Sequence, residues 1–139
     1  MEQSHDFIKK NLIHIYILHK SGLPLFDYSF CNKNREYDSS LISGGIIGII
    51  NILRVFIKAN KHLQMIDHGD RKIIFERNKT KEIIFALIVK EDSHIIRQKL
   101  KNIRKDFDYH YNNLLRDIKE TCNITKKWLD LKNLIDKEF

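Results

Sequence analysis

The apolar pattern of the chain predicts an α+β fold: a five-stranded antiparallel sheet in β-β-α-β-β-β-α-α order, with a helix on one face and the C-terminal helices on the other. Three observations carry it. Residues 12–18 and 83–89 are apolar at nearly every position, the pattern of strands covered on both sides. Short turns rich in Gly, Asp and Asn separate successive strand-like runs, so neighbours in sequence run antiparallel. Two longer segments, beginning near residues 40 and 93, repeat apolar residues at three- and four-residue steps, the helical period.

Taken in order, residues 11–30 read as a hairpin. Ile13, Ile15 and Ile17 alternate with Leu12, His14, Tyr16 and Leu18, so both faces of the first strand are largely apolar. Ser21-Gly22-Leu23-Pro24 is turn chemistry, with Gly22 free to take a positive φ and Pro24 suited to a strand start. In the second strand Phe26, Tyr28 and Phe30 share one face while Asp27 and Ser29 share the other, which places it nearer a sheet edge. A polar loop follows, and Asp38, Ser39 or Ser40 is positioned to cap a helix running to about Ala59.

That helix is apolar on two sides. Ile42, Ile46, Ile49, Leu53, Phe56 and Ile57 form one face. Leu41, Gly44, Gly45, Gly48, Ile52, Val55 and Ala59 form the other, apolar but small. Each glycine costs up to about 1 kcal/mol of helix propensity relative to alanine. The expectation is a helix covered on both sides, with close backbone contact offsetting the glycines. Strands at 63–67, 72–76 and 83–89 then form a meander across turns at 68–70 and 78–81. The last of them belongs at the centre, beside the first strand of the chain.

Asp92 or Ser93 is placed to cap the next helix, whose stripe is Ile96, Leu100, Ile103, Phe107, Tyr111, Leu114 and Ile118. Thr121-Cys122-Asn123 weakens the pattern, and Thr125 can start a final helix carrying Trp128, Leu131 and Ile135. The expected organisation is one domain over 1–139, with a core at about 12–115 and a C-terminal helix at about 125–138. Ile15, Ile17, Ile46, Leu53, Phe85, Leu87, Ile103 and Phe107 are expected to be nearly fully buried.

Composition narrows the function classes. The chain has 139 residues, 42% hydrophobic and 31% charged, which is ordinary globular composition and not that of a disordered or collagenous chain. Its charge, 25 − 18 = +7, permits a nucleic-acid, anionic-membrane or acidic-protein partner without choosing among them. The longest uncharged stretch, residues 39–53, has 15 residues and three glycines, short of the ~20 a membrane-spanning helix needs. Glu2 and Asp6 and the broken apolar run at 12–18 do not make a signal peptide. A cytoplasmic location follows as the expectation, with Cys31 and Cys122 as free thiols and the sequons at Asn78 and Asn123 as chance matches.

No residue set suits catalysis, a cofactor or a metal. Ser43-Gly44-Gly45-Ile46-Ile47-Gly48 lacks the Gly-Lys-Ser/Thr of a phosphate loop and the GxGxxG of a dinucleotide site. The seven histidines form no ligand set. Cys31 and Cys122 have no evident base, and Asp67, Asp70 and Glu76 cluster as surface turns commonly do. Two surfaces stand out instead. One is the helix face of Gly44, Gly45, Gly48, Ile52 and Val55, a candidate packing or dimer interface. The other is the basic run Arg97, Lys101, Arg104 and Lys105, chiefly a solvated helix face, with anionic lipid, an acidic partner or nucleic acid as its alternatives. Phe107 and Tyr111 lie on the apolar stripe, so no stacking platform accompanies the basic side, which counts against RNA.

Residues 15–30 (IYILHKSGLPLFDYSF) and 63–89 (LQMIDHGDRKIIFERNKTKEIIFALIV), in this order of elements, resemble the longin domain family, of which roadblock domains are circularly permuted relatives. The resemblance covers residues 12–115. Nothing after residue 115 is long enough for a SNARE helix and anchor, so a self-standing module like sedlin or the small adaptor subunits is the better fit. The resemblance implies a non-enzymatic protein that binds or regulates a small GTPase or holds a trafficking or signalling scaffold together. It implies no cofactor. The implied partners are a small GTPase or a related longin/roadblock subunit, in a homo- or heterodimer, with peripheral contact to an anionic membrane as a further option. The competing reading is a basic α+β nucleic-acid-binding protein.

Overall fold

Strands β1 (Leu12–His19) and β5 (Ile83–Val89) lie side by side and antiparallel, pairing Ile15 with Leu87 and Ile17 with Phe85. β2 (Pro24–Ser29) extends the sheet beyond β1, and β4 (Lys72–Arg77) then β3 (Met65–Asp67) extend it beyond β5. The strand order is β2-β1-β5-β4-β3, antiparallel throughout. The two most apolar strands take the two most enclosed positions, because only there are both of their faces covered. A computed structural model describes residues 2–30, 39–111 and 132–139 of the chain. The Cys31 and Cys122 thiols, the Asp38 cap, the Asn123 sequon, the helix start at Thr125 and the stripe residues beyond Tyr111 lie outside the described residues.

Side-chain alternation along the central strands builds two cores. Ile15, Ile17, Ile83, Phe85, Leu87 and Val89 point to one face, where helix α3 (His94–Tyr111) covers them. The α3 stripe of Ile96, Leu100, Ile103 and Phe107 is buried as its spacing requires, and Phe107 meets Phe85 edge-on at 5.3 Å between ring centroids. Ser93 accepts the first helical hydrogen bond from Arg97, at the expected cap position. Residues 132–138 are helical and close the same face, with Ile135 and Phe139 in the core. They are held by Tyr28, whose hydroxyl donates to Asp136 at 2.8 Å, and by Lys99 Nζ donating to the Glu138 carbonyl at 2.8 Å.

An additional helix, α1 (Glu2–Asn11), precedes β1 where the sequence pattern suggests none. Ile8 carries it into the core. Asn11 locks its end: its side-chain amide donates to the Glu91 carbonyl at 2.6 Å, its Oδ1 accepts from the Glu91 amide at 2.7 Å, and its carbonyl accepts from Lys90. A short helix with one buried aliphatic residue has little hydrophobic drive of its own, so these bonds to a segment 80 residues away do much of the fixing.

The other core is smaller. Tyr16, Leu18, Phe75, Ile84 and Ala86 meet Ile46, Ile47 and Ile50 of α2 (Ser39–Phe56). The helix is rotated from the expected phase. Ser43, Ile47 and Ile50 face the sheet; Ile49, Phe56 and Ile57 are exposed; and Leu53, expected in the core, is half-buried. A helix with apolar residues on every side has no polar face to set its phase, so the sheet decides it. α2 also stops before Ala59. Lys58 takes a left-handed conformation (φ 52°), with its amide bonded to the Val55 carbonyl and the Ala59 amide to the Arg54 carbonyl. That is a Schellman cap with lysine in the place glycine usually holds.

Asn78 shows why its sequon is structural. It is 3% exposed, its Oδ1 accepts from the Ile83 amide at 3.0 Å and its Nδ2 donates to Thr80. The amide is spent on closing the β4–β5 turn.

Candidate interaction surfaces

Among the described residues, one sheet face is covered by α1, α3 and the closing helix and the other by α2 alone, and no other described element lies over the outer side of α2. Leu41, Gly45, Gly48, Ile52 and Val55 succeed one another at steps of four and three residues, a continuous seam along one side of the helix. Leu41, Ile52 and Val55 are 75%, 67% and 72% exposed, and Ile49 and Phe56 flank them, Phe56 at 81%. Single exposed apolar side chains are common, but contiguous apolar patches of several residues mark contact surfaces.

The expected close packing of the glycines is not made within the described residues. A Cβ placed on Gly44, Gly45 or Gly48 would meet no atom within 4 Å. The nearest approach is at the β1–β2 turn, where a Cβ on Gly22 would stand 3.7 Å from Gly44 Cα. Gly22 itself has φ 95°, a conformation that L side chains rarely adopt. The cost of three glycines in one helix is thus offset by no close neighbour among the described residues, and their absence of side chains leaves a shallow channel flanked by Leu41, Ile49, Ile52 and Val55.

The basic run on α3 is less free than its sequence suggests. Arg97 forms a two-pronged ion pair with Asp92, Nε to Oδ1 at 2.8 Å and Nη2 to Oδ2 at 2.6 Å. The guanidinium holds the Asp92 carboxyl below its usual range, chiefly through those hydrogen bonds. Arg104 Nε stands 3.2 Å from Glu76 Oε1 on β4, an ion pair without hydrogen-bond alignment. Lys101 and Lys105 remain exposed. Two of the four cations thus serve to fasten α3, one to the turn before it and one to the sheet.

A different positive cluster forms where the sheet ends. Lys20, Arg54, the Lys61-His62 pair and Arg77, from four separate parts of the chain, line one cleft. No local sequence signal marks it, since only the topology brings these residues together. Among the described residues no three His, Cys, Asp or Glu side chains gather as a metal site would need. No described helix is long and apolar enough to cross a membrane.

Among the described residues, the strand order, one helix on one face and several on the other define a longin/roadblock-like fold. No protein-family model and no curated protein sequence matches the chain significantly. Solved structures do match by shape. MglB of Myxococcus xanthus aligns with a TM-score of 0.60 at 11% identity, over 77% of this chain and 90% of that one. An MglB with a tetrameric arrangement aligns at 0.51 and 8% identity, over 72% of this chain and 76% of that one. A chain of the mammalian SRP receptor aligns at 0.52 and 10% identity, over 92% of this chain and 94% of that one. At such identities the likeness is one of fold.

Proposed function

We propose that this chain is a non-enzymatic interaction module that docks a second domain of its own kind, a second copy first of all, through the outer face of α2, within an assembly that binds or regulates a small GTPase. The observation that carries the reading is the seam of Leu41, Gly45, Gly48, Ile52 and Val55, whose apolar side chains are exposed, on the one described helix that covers its sheet face. Burying apolar surface contributes about 25 cal/mol per Å², and glycines at the seam let a facing helix approach closely. An MglB of similar fold is described in a tetrameric arrangement, which supports association as a habit of the fold. The GTPase role rests on the longin/roadblock resemblance, since domains of that kind bind or regulate small GTPases.

Two experiments test it. Light scattering across a concentration series measures self-association, and Gly48→Leu or Ile52→Asp should weaken it. Affinity capture with small GTPases loaded with GDP or a GTP analogue, followed by hydrolysis and exchange rates, measures the partner. Retention of one nucleotide state over the other is the expected result. Equal indifference to both states, with no effect on either rate, would remove the GTPase part of the reading.

A further inference from the structure

A cleft of about 550 Å³ opens beyond the ends of β1 and β4. Its walls are the β1–β2 turn, the last turns of α2, the connection that follows α2, and Arg77. Lys20, Arg54, Lys61, His62 and Arg77 line it, and among the described residues no Asp or Glu does. A second groove of about 500 Å³ shares His62 and Arg77 and continues round the sheet edge past Lys81.

Arg77 is the centre of the cluster. It ends β4 opposite Ile84 and shares the α2 side of the sheet with Phe75. β3 is only three residues long and stops short of it. The Phe75 amide donates to the Gln64 carbonyl at 3.0 Å, and strand alternation turns the Arg77 amide toward that same edge, where no strand continues. The guanidinium is half-buried and has no hydrogen bond or ion pair among the described residues. Elsewhere the chain pairs such cations: Arg97 with Asp92, Arg104 with Glu76, Lys72 with Asp67. Here it gathers them against one another. Burial and then Arg54 lower the proton affinity of Arg77. His62 is exposed, and slight desolvation, then the charges of Arg77, Lys81 and Arg54, lower its proton affinity.

We propose that this cleft is a binding site for a phosphate-bearing ligand, with the Arg77 guanidinium as its floor and Arg54, Lys61 and Lys20 as its walls. A guanidinium presents a planar fork of donors that matches two phosphate oxygens, and lysines act as mobile point charges around it. Four cations and a histidine suit a ligand with at least two phosphate charges. The volume lies within the ~300–1,000 Å³ of small-ligand sites. Ile50 and Ile57 supply an apolar rim. An anion in the cleft offsets the repulsion on protonated His62, so binding takes up a proton and tightens as pH falls through the histidine range. The site does not depend on association through α2. Its ligand chemistry is shared by soluble polyphosphates and by the headgroup of a phosphorylated inositol lipid.

Titration calorimetry of the full chain with inositol trisphosphate and with inorganic pyrophosphate tests the site, alongside sedimentation with vesicles carrying phosphatidylinositol bisphosphate or an equal charge of phosphatidylserine. One ligand per chain is expected, weakened about tenfold or more by Arg77→Gln, which is ~1.4 kcal/mol, and unchanged by Lys105→Gln, which removes the same charge from exposed α3. The ratio of wild-type to His62→Gln affinity is expected to rise from pH 8 to pH 6, a comparison in which the titration of the ligand's own phosphates cancels. Trisphosphate and bisphosphate vesicles binding without pyrophosphate identifies a lipid headgroup; pyrophosphate binding without vesicles identifies a soluble ligand. Thermal melting verifies that Arg77→Gln folds, and Arg54→Gln, on the exposed end of α2, replaces it if it does not. Three results would overturn the proposal: no binding by any probe, equal loss from Arg77→Gln and Lys105→Gln, or a short RNA displacing every phosphate probe with a steep salt dependence.

Discussion

Arg104 and Glu76 meet at 3.2 Å between α3 and β4, each about three-quarters buried, with side-chain exposures of 24% and 22%. The contact ties the helix to the strand beside the basic grooves and spends one cation of the α3 run on structure. Glu76→Gln leaves a largely buried guanidinium without its counter-charge, which should cost about 1–3 kcal/mol in urea unfolding. Adding Arg104→Met to that variant should recover part of the loss, because the stranded charge goes with it. Additive losses from the two changes would mean the pair does not couple.

The half-burial of Leu53 separates it from Phe107. Phe107 is 1% exposed and packs on Phe85, so Phe107→Ala should cost about 3–5 kcal/mol through lost transfer energy and a cavity. Leu53→Ala removes a side chain that water already reaches and should cost less than about 2 kcal/mol. Equal costs would place α2 in a different rotation from the one described.

Lys58 holds a left-handed conformation at φ 52°, which costs an L-residue roughly 1 kcal/mol and glycine nearly nothing. Lys58→Gly should therefore raise stability by about 0.5–1 kcal/mol, even after the added entropy of the unfolded chain. A fall in melting temperature would show that the lysine stem contributes packing that outweighs the strain.

Arg97 depresses the Asp92 pKa below its ordinary carboxylate value. A carboxyl whose folded pKa is depressed adds stability above its unfolded pKa and loses it as pH falls through the folded one. The wild type should thus lose more stability than Asp92→Asn as pH drops below the ordinary carboxylate value. Both side chains are about a third exposed, so the difference is small. It is best read as a converging pair of urea midpoints, and parallel midpoints would mean that the pair contributes nothing.

The strands at residues 12–18 and 83–89 and the α3 stripe were legible because each carries one strong periodicity. The central pairing of β1 and β5 followed from their lack of any polar face. α1 was not legible: Ile8 is its one described residue in the core, and Asn11 is fixed by partners 80 residues away. α2 was legible as a helix but not in its rotation, because Ile46, Ile47, Ile49 and Val55 point all round it. The seam of Gly45, Gly48, Ile52 and Val55 was visible as a small-residue face, and the structure adds that no described element packs closely on it. The cleft was invisible, since Lys20, Arg54, Lys61 and Arg77 carry no shared motif. The contiguous run from Arg97 to Lys105 is the stronger signal in the sequence, although half of its four named cations are paired with carboxylates.

The outer face of α2 as a docking surface is tested most directly by light scattering of wild type and Ile52→Asp over a concentration series, with melting temperatures measured in parallel. Ile52 is 67% exposed, so an aspartate there should leave the fold intact while placing a charge in the middle of the seam. The account predicts a wild-type mass that rises toward a dimer with concentration, and an Ile52→Asp variant that stays monomeric and melts like the wild type. A wild type that stays monomeric throughout, or a variant that associates as well as the wild type, would contradict it.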